Sequence, residues 1–388
     1  MKSIVWRARN ISLFFIAFIG ALFSRSRRFP PQTVRKVVII QGARLGDMVC
    51  TTPLFRALKS KYPDVKITVV GDGVNQKLLA GHPYVDRYVV WRKNFWEVVG
   101  LLRHERFDCG IVILPSLESL ALLTLSGVCS IVTPHVVKGK SPYETLTYRI
   151  LARWTKIVPH RSGAYAPREY LRLLEPLGII ADDTRKQLAC SDEAKRNVSK
   201  MLGAEGIDTA CDFVAGILPG VGGDPLKRWA PEKFARLAEH LSRKHRAKIV
   251  IIGSGKDRPS VEEMLSAVGK EVKVVNLFDR LTIEEMKACI ASLSLFVSAD
   301  TGPVYVAEAF GIPTIDIVGP VDENVQPPRG EFHRVVVPPR RSKAPLAVVE
   351  NIPDDMEEAR RQAEGTTVEM VIAVADELIE KIQKRRNG

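Results

Sequence analysis

VVIIQGARLGD, the stretch from Val37 to Asp47, decides how the chain begins to fold. Four consecutive β-branched residues are typical of a buried strand, and the glycines that follow permit a tight turn. A helix pattern then runs from about Asp47 to Lys61, and Pro63-Asp64 turns the chain into a second apolar strand, Lys66 to Val70. This series predicts the first unit of a parallel sheet with helices on its faces.

The same alternation continues and later restarts, which predicts two α/β domains. Further strands lie near 88–91 and 109–114, and a new series opens after about residue 185 with the strand Phe213 to Leu218 and the glycine loop PGVGG at 219–223. The strands and helices that follow fall at 231–244, 248–252, 272–275, 283–292, 295–298, 303–310 and 314–318, and a last helix at 368–384. A chain of 388 residues is long enough for two such domains.

The changes in pattern divide the chain into four parts. They are a membrane-associating segment (1–29), an N-terminal Rossmann-like domain (30–185), a C-terminal Rossmann-like domain (186–366) and a closing helix (367–388). Open parallel sheets bind ligands beyond the carboxyl ends of their strands. We therefore expect two doubly wound domains facing a central cleft, where a ligand of each domain would meet.

The composition is that of a globular protein with a strong positive charge. Hydrophobic residues make up 46% of the chain and charged residues 26%, which excludes wholesale disorder. The net charge of +13 favours an anionic partner such as phosphate, phospholipid or lipopolysaccharide, although a generally basic surface is the alternative. No zinc-finger spacing or RNA-binding strand motif accompanies it, so we predict no nucleic-acid partner. The six cysteines are scattered without a C-x-x-C pair, which fits a reducing cytosol.

The N-terminus differs in character from the rest of the chain. An apolar run from Ile11 to Phe23 has three basic residues on each side: Lys2, Arg7, Arg9, Arg25, Arg27 and Arg28. Thirteen residues make a helix of about 20 Å, which is short for a hydrocarbon core of about 30 Å. Because the run is apolar on all faces, we expect it to insert into the membrane with the rest of the chain in the cytosol. A signal peptide cleaved near Ser24 and Ser26, a poor site, is the alternative.

The first candidate site is the loop Gly42-Ala43-Arg44-Leu45-Gly46-Asp47. Its glycines permit a ligand to approach the backbone closely, and Asp47 places a carboxylate at the mouth of the expected cleft. That carboxylate can serve as a general base, or it can only cap the helix that follows. The spacing is not G-x-G-x-x-G, so the dinucleotide site of an oxidoreductase or epimerase is not predicted.

The second candidate is the turn Asp300-Thr301-Gly302-Pro303, which follows an apolar strand and opens a helix. Proline suits the first helical turn, and the amides and dipole of a helix start favour a phosphate. Thr301 adds a hydroxyl donor. A capping motif that binds nothing is the alternative.

Two further loops of the second domain are weaker candidates. Lys227-Arg228-Trp229 follows the glycine loop that contains Gly220, and glycines followed by cations suit a diphosphate, with a solvated basic turn as the alternative. The loop Gly253 to Asp257 follows another strand and can pass a nucleotide ribose or base, or it can be a plain strand-to-helix turn.

Five stretches, in this order, resemble the ADP-heptose:lipopolysaccharide heptosyltransferases, glycosyltransferase family 9. They are VVIIQGARLGDMVCTTPLFRALKSKYPDVKITVVG (37–71), GHPYVD (81–86), EYLRLLEPLG (169–178), PGVGGDPLKRWAPEKFARLAEHL (219–241) and VVNLFDRLTIEEMKACIASLSLFVSADTGPVYVAEAFGIPTIDIVGP (274–320). The resemblance covers roughly residues 35–330, and its last stretch is the most specific.

The resemblance implies a GT-B architecture, with the acceptor in the N-terminal domain and the nucleotide sugar in the C-terminal domain. By position, Asp47 matches the family's proposed catalytic base, Lys227 its phosphate-contacting lysine, and Asp300, Thr301 and Gly302 its donor-binding turn. The remaining candidates are Gly220, Asp257 and Tyr305 on the donor side, and Arg44 and Gly46 on the acceptor side.

The implied activity is inverting transfer of a heptose from ADP-heptose to an anionic, lipid-linked lipopolysaccharide or envelope glycan, at the cytoplasmic face of the inner membrane. No D-x-D triplet occurs in the chain, so we predict no metal and no cofactor beyond the nucleotide-sugar co-substrate. Family members commonly have His where this chain has Tyr305, which can donate a hydrogen bond but cannot become a cation near neutral pH. A relative with a different nucleotide-sugar donor, or a non-catalytic nucleotide- or glycan-binding relative, therefore remains open.

Overall fold

The computed structural model of this chain describes residues 2–22, 34–91, 94–137, 141–222, 225–342, 344 and 355–387. Within them the chain forms two compact units, Met1–Arg185 and Lys186–Gly388. The predicted signal cleavage site at Ser24 and Ser26, the three arginines after the apolar run, and Gly223 of the glycine loop lie outside the described residues.

The N-terminal unit is a six-stranded parallel sheet with strand order β3-β2-β1-β4-β5-β6. Its elements are α1 (Lys2–Leu22), β1 (Lys36–Ile40), α2 (Leu45–Lys61), β2 (Lys66–Gly71), α3 (Gly73–Leu78), β3 (Arg87–Val90), α4 (Phe95–Glu105), β4 (Cys109–Val112), α5 (Leu117–Leu125), β5 (Ser130–Val137), α6 (Leu146–Ala152), β6 (Lys156–Arg161) and α7 (Ala166–Arg172), followed by a 3-10 turn (Glu175–Leu177).

The C-terminal unit repeats this topology, with strand order β12-β11-β10-β7-β8-β9. Its elements are α8 (Asp192–Ala204), β7 (Val214–Leu218), α9 (Pro231–His245), β8 (Lys248–Ile251), α10 (Arg258–Ala267), β9 (Val274–Asn276), α11 (Ile283–Ala291), β10 (Leu295–Ala299), α12 (Gly302–Ala309), β11 (Thr314–Ile317), β12 (His333–Val336), α13 (Met356–Gly365) and α14 (Val368–Asn387), with 3-10 turns at Pro225–Lys227 and Gly255–Asp257. The two parallel sheets confirm the predicted pair of doubly wound Rossmann-like folds.

The central strands are buried on both faces. Val37, Val38, Ile39 and Ile40 of β1 are at most 1% exposed, and β1 pairs in parallel with β2 on one side and β4 on the other. A parallel sheet carries its connecting helices on both faces, so its central strands need apolar side chains at every position. This is why the unbroken run that opened the sequence analysis indicated the fold.

Strands β5, β6 and β12 are absent from the strands that the sequence predicted. Pro134 lies in β5 and Pro159 in β6, and a proline argues against a strand because it cannot donate to the ladder. The pairing of β5 with β4 ends at Val132, before Pro134, and β6 is the edge strand of its sheet. Both prolines are therefore accommodated at positions where the missing N–H costs no central ladder bond.

Helix α1 is longer than the predicted apolar run and packs against its own domain. Leu13, Ala17 and Ala21 are buried in the apolar cluster of the N-terminal unit, where α1 contacts α5 and α6. The opposite face carries large exposed apolar side chains: Ile11, Phe15, Ile16, Ile19 and Leu22. The expectation of a helix that is free on all faces to insert is thus modified, because one face is already covered by protein. Within the described ranges, no helix combines the length and apolarity that a bilayer crossing requires.

Candidate active site

Both sheets place candidate residues at the point where the strand order reverses. In the N-terminal sheet the reversal lies between β1 and β4, and the Gly42-to-Asp47 loop leaves the carboxyl end of β1. In the C-terminal sheet it lies between β7 and β10, and the loops that contain Gly220 and Asp300 leave these two strands. Neighbouring loops diverge at such a reversal and leave a crevice, which is the usual ligand site of this architecture.

Polar side chains brace the loop after β1. The buried Gln41 donates from Nε2 to Thr51 Oγ1 (3.1 Å) and accepts at Oε1 from the Ala43 amide (3.2 Å). Asn75, at the start of α3, donates to the Ala43 carbonyl oxygen (2.9 Å). These bonds hold the backbone at residues 41–43 in one conformation, so the start of α2 has a defined position.

Asp47 lies in the first turn of α2 and is partly exposed. The N-cap position belongs to Arg44, an exposed residue whose side chain makes no capping bond, and Gly46 is buried behind it. Asp47 is therefore not the N-cap residue, although a carboxylate in the first turn still interacts favourably with the helix dipole. The backbone carbonyl of Asp47 accepts a bond from Thr51 Oγ1 (2.8 Å), which ties this turn to the Gln41 brace.

Asp257 organises the glycine loop of the C-terminal domain. Its Oδ1 accepts from the Gly222 amide, and its Oδ2 accepts from the amide and hydroxyl of Ser254, each at 2.9 Å. A Cβ atom at Gly220 would lie 2.1 Å from Asp257 Oδ1, so only glycine fits there. Gly222 adopts a left-handed conformation, with φ of 63°. The structure thus explains why glycine stands at both positions. Asp257 links the two loops that were predicted to bind the nucleotide.

Lys227, Asp300 and Tyr305 form a hydrogen-bonded group at the carboxyl edge of the C-terminal sheet. Lys227 Nζ lies 2.7 Å from Asp300 Oδ2, and the Tyr305 hydroxyl donates to Asp300 Oδ1 at 2.5 Å. Tyr305 is buried, whereas Lys227 and Asp300 retain some exposure. Sequence reasoning named all three residues separately, and the structure brings them together.

The same group sits at the start of α12. Thr301 is the N-cap residue, its hydroxyl lies 3.2 Å from that of Ser298, and Gly302 and Pro303 form the first turn. A helix start presents amides and the positive end of the helix dipole to an anion, and the Lys227 ammonium adds a full charge beside it. The arrangement therefore suits a diphosphate.

Trp229 anchors the segment that carries Lys227. Its ring is buried edge-on against Phe234 (ring centroids 4.6 Å apart), and its Nε1 donates to the Thr366 carbonyl oxygen (2.8 Å) between α13 and α14. Arg228, which lies between Lys227 and Trp229 in the sequence, forms an ion pair with Glu263 on α10. Lys227 thus leaves a segment that is tied down on two sides.

Comparisons with known proteins agree with this geometry. The family model for glycosyltransferase family 9 (heptosyltransferase) matches residues 97–352. That match spans more than half of the chain. The chain belongs to glycosyltransferase family 9.

Family 9 relatives match most of the chain. A lipopolysaccharide heptosyltransferase 2 from Salmonella typhimurium is 25% identical over 323 residues, which cover 78% of this chain and 87% of the relative. A lipooligosaccharide heptosyltransferase 2 from Campylobacter jejuni is 33% identical over 290 residues, 74% of this chain and 82% of the relative. The solved ADP-heptose lipopolysaccharide heptosyltransferase II of E. coli superposes with a TM-score of 0.71 at 21% identity, covering 91% of this chain and all of that one. This family 9 chain is therefore a glycosyltransferase with the GT-B heptosyltransferase fold.

Sequence reasoning missed a second set of polar residues beneath the turn Asp300-Thr301-Gly302. Lys186 Nζ and Glu308 Oε2 lie 2.6 Å apart in a buried ion pair, and Asp316 of β11 is 1% exposed. The signal was present in TIDI at 314–317, where Thr314 and Asp316 alternate with two isoleucines. Such alternation indicates that one face of the strand is not in the apolar core.

One group of side chains has the composition of a metal site. His240 and His245 of α9 and Asp376 of α14 bring their ligand atoms within 4.8 Å of one another. Asp376 Oδ1 already accepts bonds from His240 Nε2 (2.8 Å) and His245 Nε2 (2.6 Å), and Lys244 Nζ lies 2.9 Å from Oδ2. These three donors satisfy the Asp376 carboxylate without a metal ion. The group is therefore explained as a set of hydrogen bonds that links α9 to α14.

We predict that Trp229→Ala destabilises the C-terminal domain by about 3–5 kcal/mol, because it opens a cavity and removes the bond to Thr366. Urea denaturation followed by circular dichroism measures this loss. Trp96→Ala is the matched control, since Trp96 is 53% exposed and its removal should change stability by less than about 0.5 kcal/mol. Equal destabilisation by both substitutions would contradict the anchoring role of Trp229.

Proposed function

We propose that this chain transfers a heptose from ADP-heptose to a lipopolysaccharide core acceptor, as an inverting and metal-independent enzyme. Its curated relatives from Salmonella typhimurium and Campylobacter jejuni are named as lipopolysaccharide and lipooligosaccharide heptosyltransferases, and the E. coli neighbour is named for ADP-heptose. The observation that carries the proposal is the Lys227–Asp300 pair at the start of α12.

The donor diphosphate binds at this pair. A diphosphate brings more negative charge than one carboxylate, so it displaces Asp300 from Lys227 and accepts bonds from the ammonium and the first turn of α12. As the glycosidic bond breaks, the departing ADP gathers negative charge, which the same groups stabilise. The Asp300 carboxylate, still bonded to Tyr305, then accepts hydrogen bonds from the sugar hydroxyls.

Lys227→Met keeps the length of the side chain and removes its charge, so it should weaken ADP binding by about tenfold to a hundredfold. Thermal-shift titration measures the affinity, because a ligand of the folded state raises its melting temperature. ADP should stabilise the wild type, whereas UDP and GDP should not.

Lys270→Met is the control for this experiment, because Lys270 is an exposed lysine of the same domain. It should leave the ADP response intact. Stabilisation by UDP or GDP in place of ADP would refute the proposed donor and favour a family member with another nucleotide sugar.

Asp47 is the proposed base. The acceptor hydroxyl is a poor nucleophile at neutral pH, and a carboxylate within hydrogen-bond reach can take its proton as the hydroxyl attacks. Attack on the side opposite the leaving ADP inverts the anomeric carbon in a single displacement. The base needs a fixed position, and the Gln41 and Asn75 brace supports that requirement.

Asp47→Asn should lower kcat by about a hundredfold to ten-thousandfold while ADP affinity stays unchanged, since the substitution removes a proton acceptor of the acceptor-side domain. Coupled ADP-release kinetics measure the turnover, and NMR of the product reads its anomeric configuration. Asp64→Asn, at an exposed carboxylate of the same domain, is the control. Turnover of Asp47→Asn at the wild-type rate would remove Asp47 from the mechanism.

The same assay addresses metal independence. The Lys227 ammonium and the α12 start supply positive charge at the diphosphate, so EDTA should leave the rate unchanged. A rate abolished by EDTA and restored by magnesium would reverse this part of the proposal.

Helix α1 supports binding at the inner face of the cytoplasmic membrane. With Leu13 and Ala17 buried against α5, the exposed face carries Phe15 (56% exposed) and Ile19 (53% exposed). Basic residues flank the apolar run of this helix in the sequence, and a basic amphipathic helix lies in the plane of an anionic bilayer. We therefore place α1 in the interface, where the lipid-linked acceptor is found.

Phe15→Ser combined with Ile19→Ser should reduce binding to vesicles of phosphatidylethanolamine and phosphatidylglycerol by about tenfold or more, because two apolar side chains no longer enter the lipid. Flotation assays measure the bound fraction. Val74→Ser with Ile180→Ser removes two exposed apolar side chains elsewhere in the same domain and is the control. If both double variants bind vesicles like the wild type, the exposed face of α1 is not the docking surface.

A further inference from the structure

One face of the C-terminal sheet is polar beneath the donor turn. In β11, Ile315 and Ile317 point into the apolar core, so Thr314 and Asp316 point to the other face. The register pairs Asp316 with Ser298 of β10, two residues before Asp300. Asp316 therefore lies directly under the strand end that carries the donor-binding turn.

Two ion pairs lie on this face, and Asp316 belongs to neither of them. Lys227 pairs with Asp300 at 2.7 Å, and Lys186 pairs with Glu308 at 2.6 Å. Asp316 is 1% exposed, and its Oδ1 has no hydrogen-bond partner within the part of the chain that the structure describes. Each of these two ammonium groups lies within 2.7 Å of one carboxylate, and the third carboxyl, Asp316, forms no ion pair within the described residues.

A buried carboxylate without a cation is costly, so the third carboxyl retains its proton. Burial raises the pKa of Asp316 well above the usual carboxyl range, and the nearby Asp300 carboxylate raises it further, against the opposing effect of Lys227. Burial also raises the pKa of Glu308, and there the Lys186 ammonium opposes the rise.

We propose that Asp316 is a positioning residue of the donor site: as a neutral acid it leaves Lys227 held by Asp300 alone and therefore available to the donor diphosphate. When Asp316 ionises, a second carboxylate holds Lys227 and repels the diphosphate, so donor affinity falls as pH rises. This inference rests on the proposed donor site. It adds a pH dependence of donor affinity that the Lys227–Asp300 pair alone would lack.

Other titratable groups face Asp316 from the elements around it. They are Lys227 before α9, Asp300, Tyr305 and Glu308 from the β10–α12 segment, Lys186 before α8, and His333 of β12. Burial lowers the pKa of His333 to about 4, with Lys186 and Arg334 acting in the same direction, so this imidazole is neutral throughout the range between pH 6 and 9. Removing the Asp316 carboxyl separates its titration from that of Glu308.

The test is ADP affinity against pH in the full-length protein. Isothermal titration calorimetry between about pH 6 and pH 9 should show wild-type affinity falling by up to about tenfold for each pH unit above the ionisation of Asp316. Asp316→Asn, a neutral group of the same size, should bind ADP like the wild type below the ionisation of Asp316 and should not show the fall in affinity above it. Asp192→Asn, at an exposed carboxylate of the same domain, should keep the wild-type profile. Parallel profiles for wild type and Asp316→Asn would overturn the proposal.

Infrared difference spectroscopy tests the charge state without any ligand. Below the pH where ADP affinity falls, the wild type should show a protonated-carboxyl band that is missing in Asp316→Asn, and this band should disappear at that pH. The wild-type titration stands by itself if the variant does not fold. Absence of the band with ADP still bound would overturn the role of Asp316 and leave the donor site standing. A band without any ADP binding would overturn the proposed donor site instead.

Discussion

The parallel arrangement of the strands is the constraint on which the rest of this molecule depends. Every strand in a parallel sheet ends at the same edge, and the crossover helices begin there. Where the strand order reverses, the loops on either side turn away from each other. In the N-terminal sheet that edge holds Asp47 after β1, and in the C-terminal sheet it holds the glycine loop after β7 and Asp300 after β10. Within each sheet, loops from distant parts of the sequence are thereby brought to one edge without any dedicated structural element.

A second layer of bonds holds the candidate loops of each sheet in defined positions. Gln41 and Asn75 hold one loop, Asp257 holds another, and Trp229 holds the segment of Lys227. None of these four residues has to touch a substrate in order to matter. A phosphate or a reacting hydroxyl needs its partners within a fraction of an ångström, and a loop supplies this only when its backbone is tied down.

The sequence predicted the layers of the fold well and the polar interior poorly. Strands such as β1 and turns such as Asp300-Thr301-Gly302 have strong local signals, so the sequence alone predicts them. Strands β5 and β6 were missed because Pro134 and Pro159 argue against a strand. Only the observed strand pairing shows how the two prolines are accommodated. The contact between Lys227 and Asp300 joins residues 73 positions apart, and family resemblance, not spacing, connected them.

Asp316 illustrates the same limit from the other side. A single aspartate within TIDI looks like a surface residue of an amphipathic strand, and only the helix that covers that face shows that it is buried. Its meaning depends on a count of charges that come from four separate segments of the chain. The residues next to Asp316 in the sequence do not indicate which charged groups surround it in the fold.

Helix α5 has a consequence for anyone who shortens this protein. Its sequence, LESLALLTL, is buried over nearly its whole length, and part of its cover is the Leu13, Ala17 and Ala21 face of α1. Deleting the first 22 residues to improve solubility would remove the exposed apolar face of α1. The same deletion would expose the apolar face of α5 that α1 covers. One face of helix α1 is therefore part of the hydrophobic core and the other face is part of the exposed surface, so deleting α1 would disturb the domain.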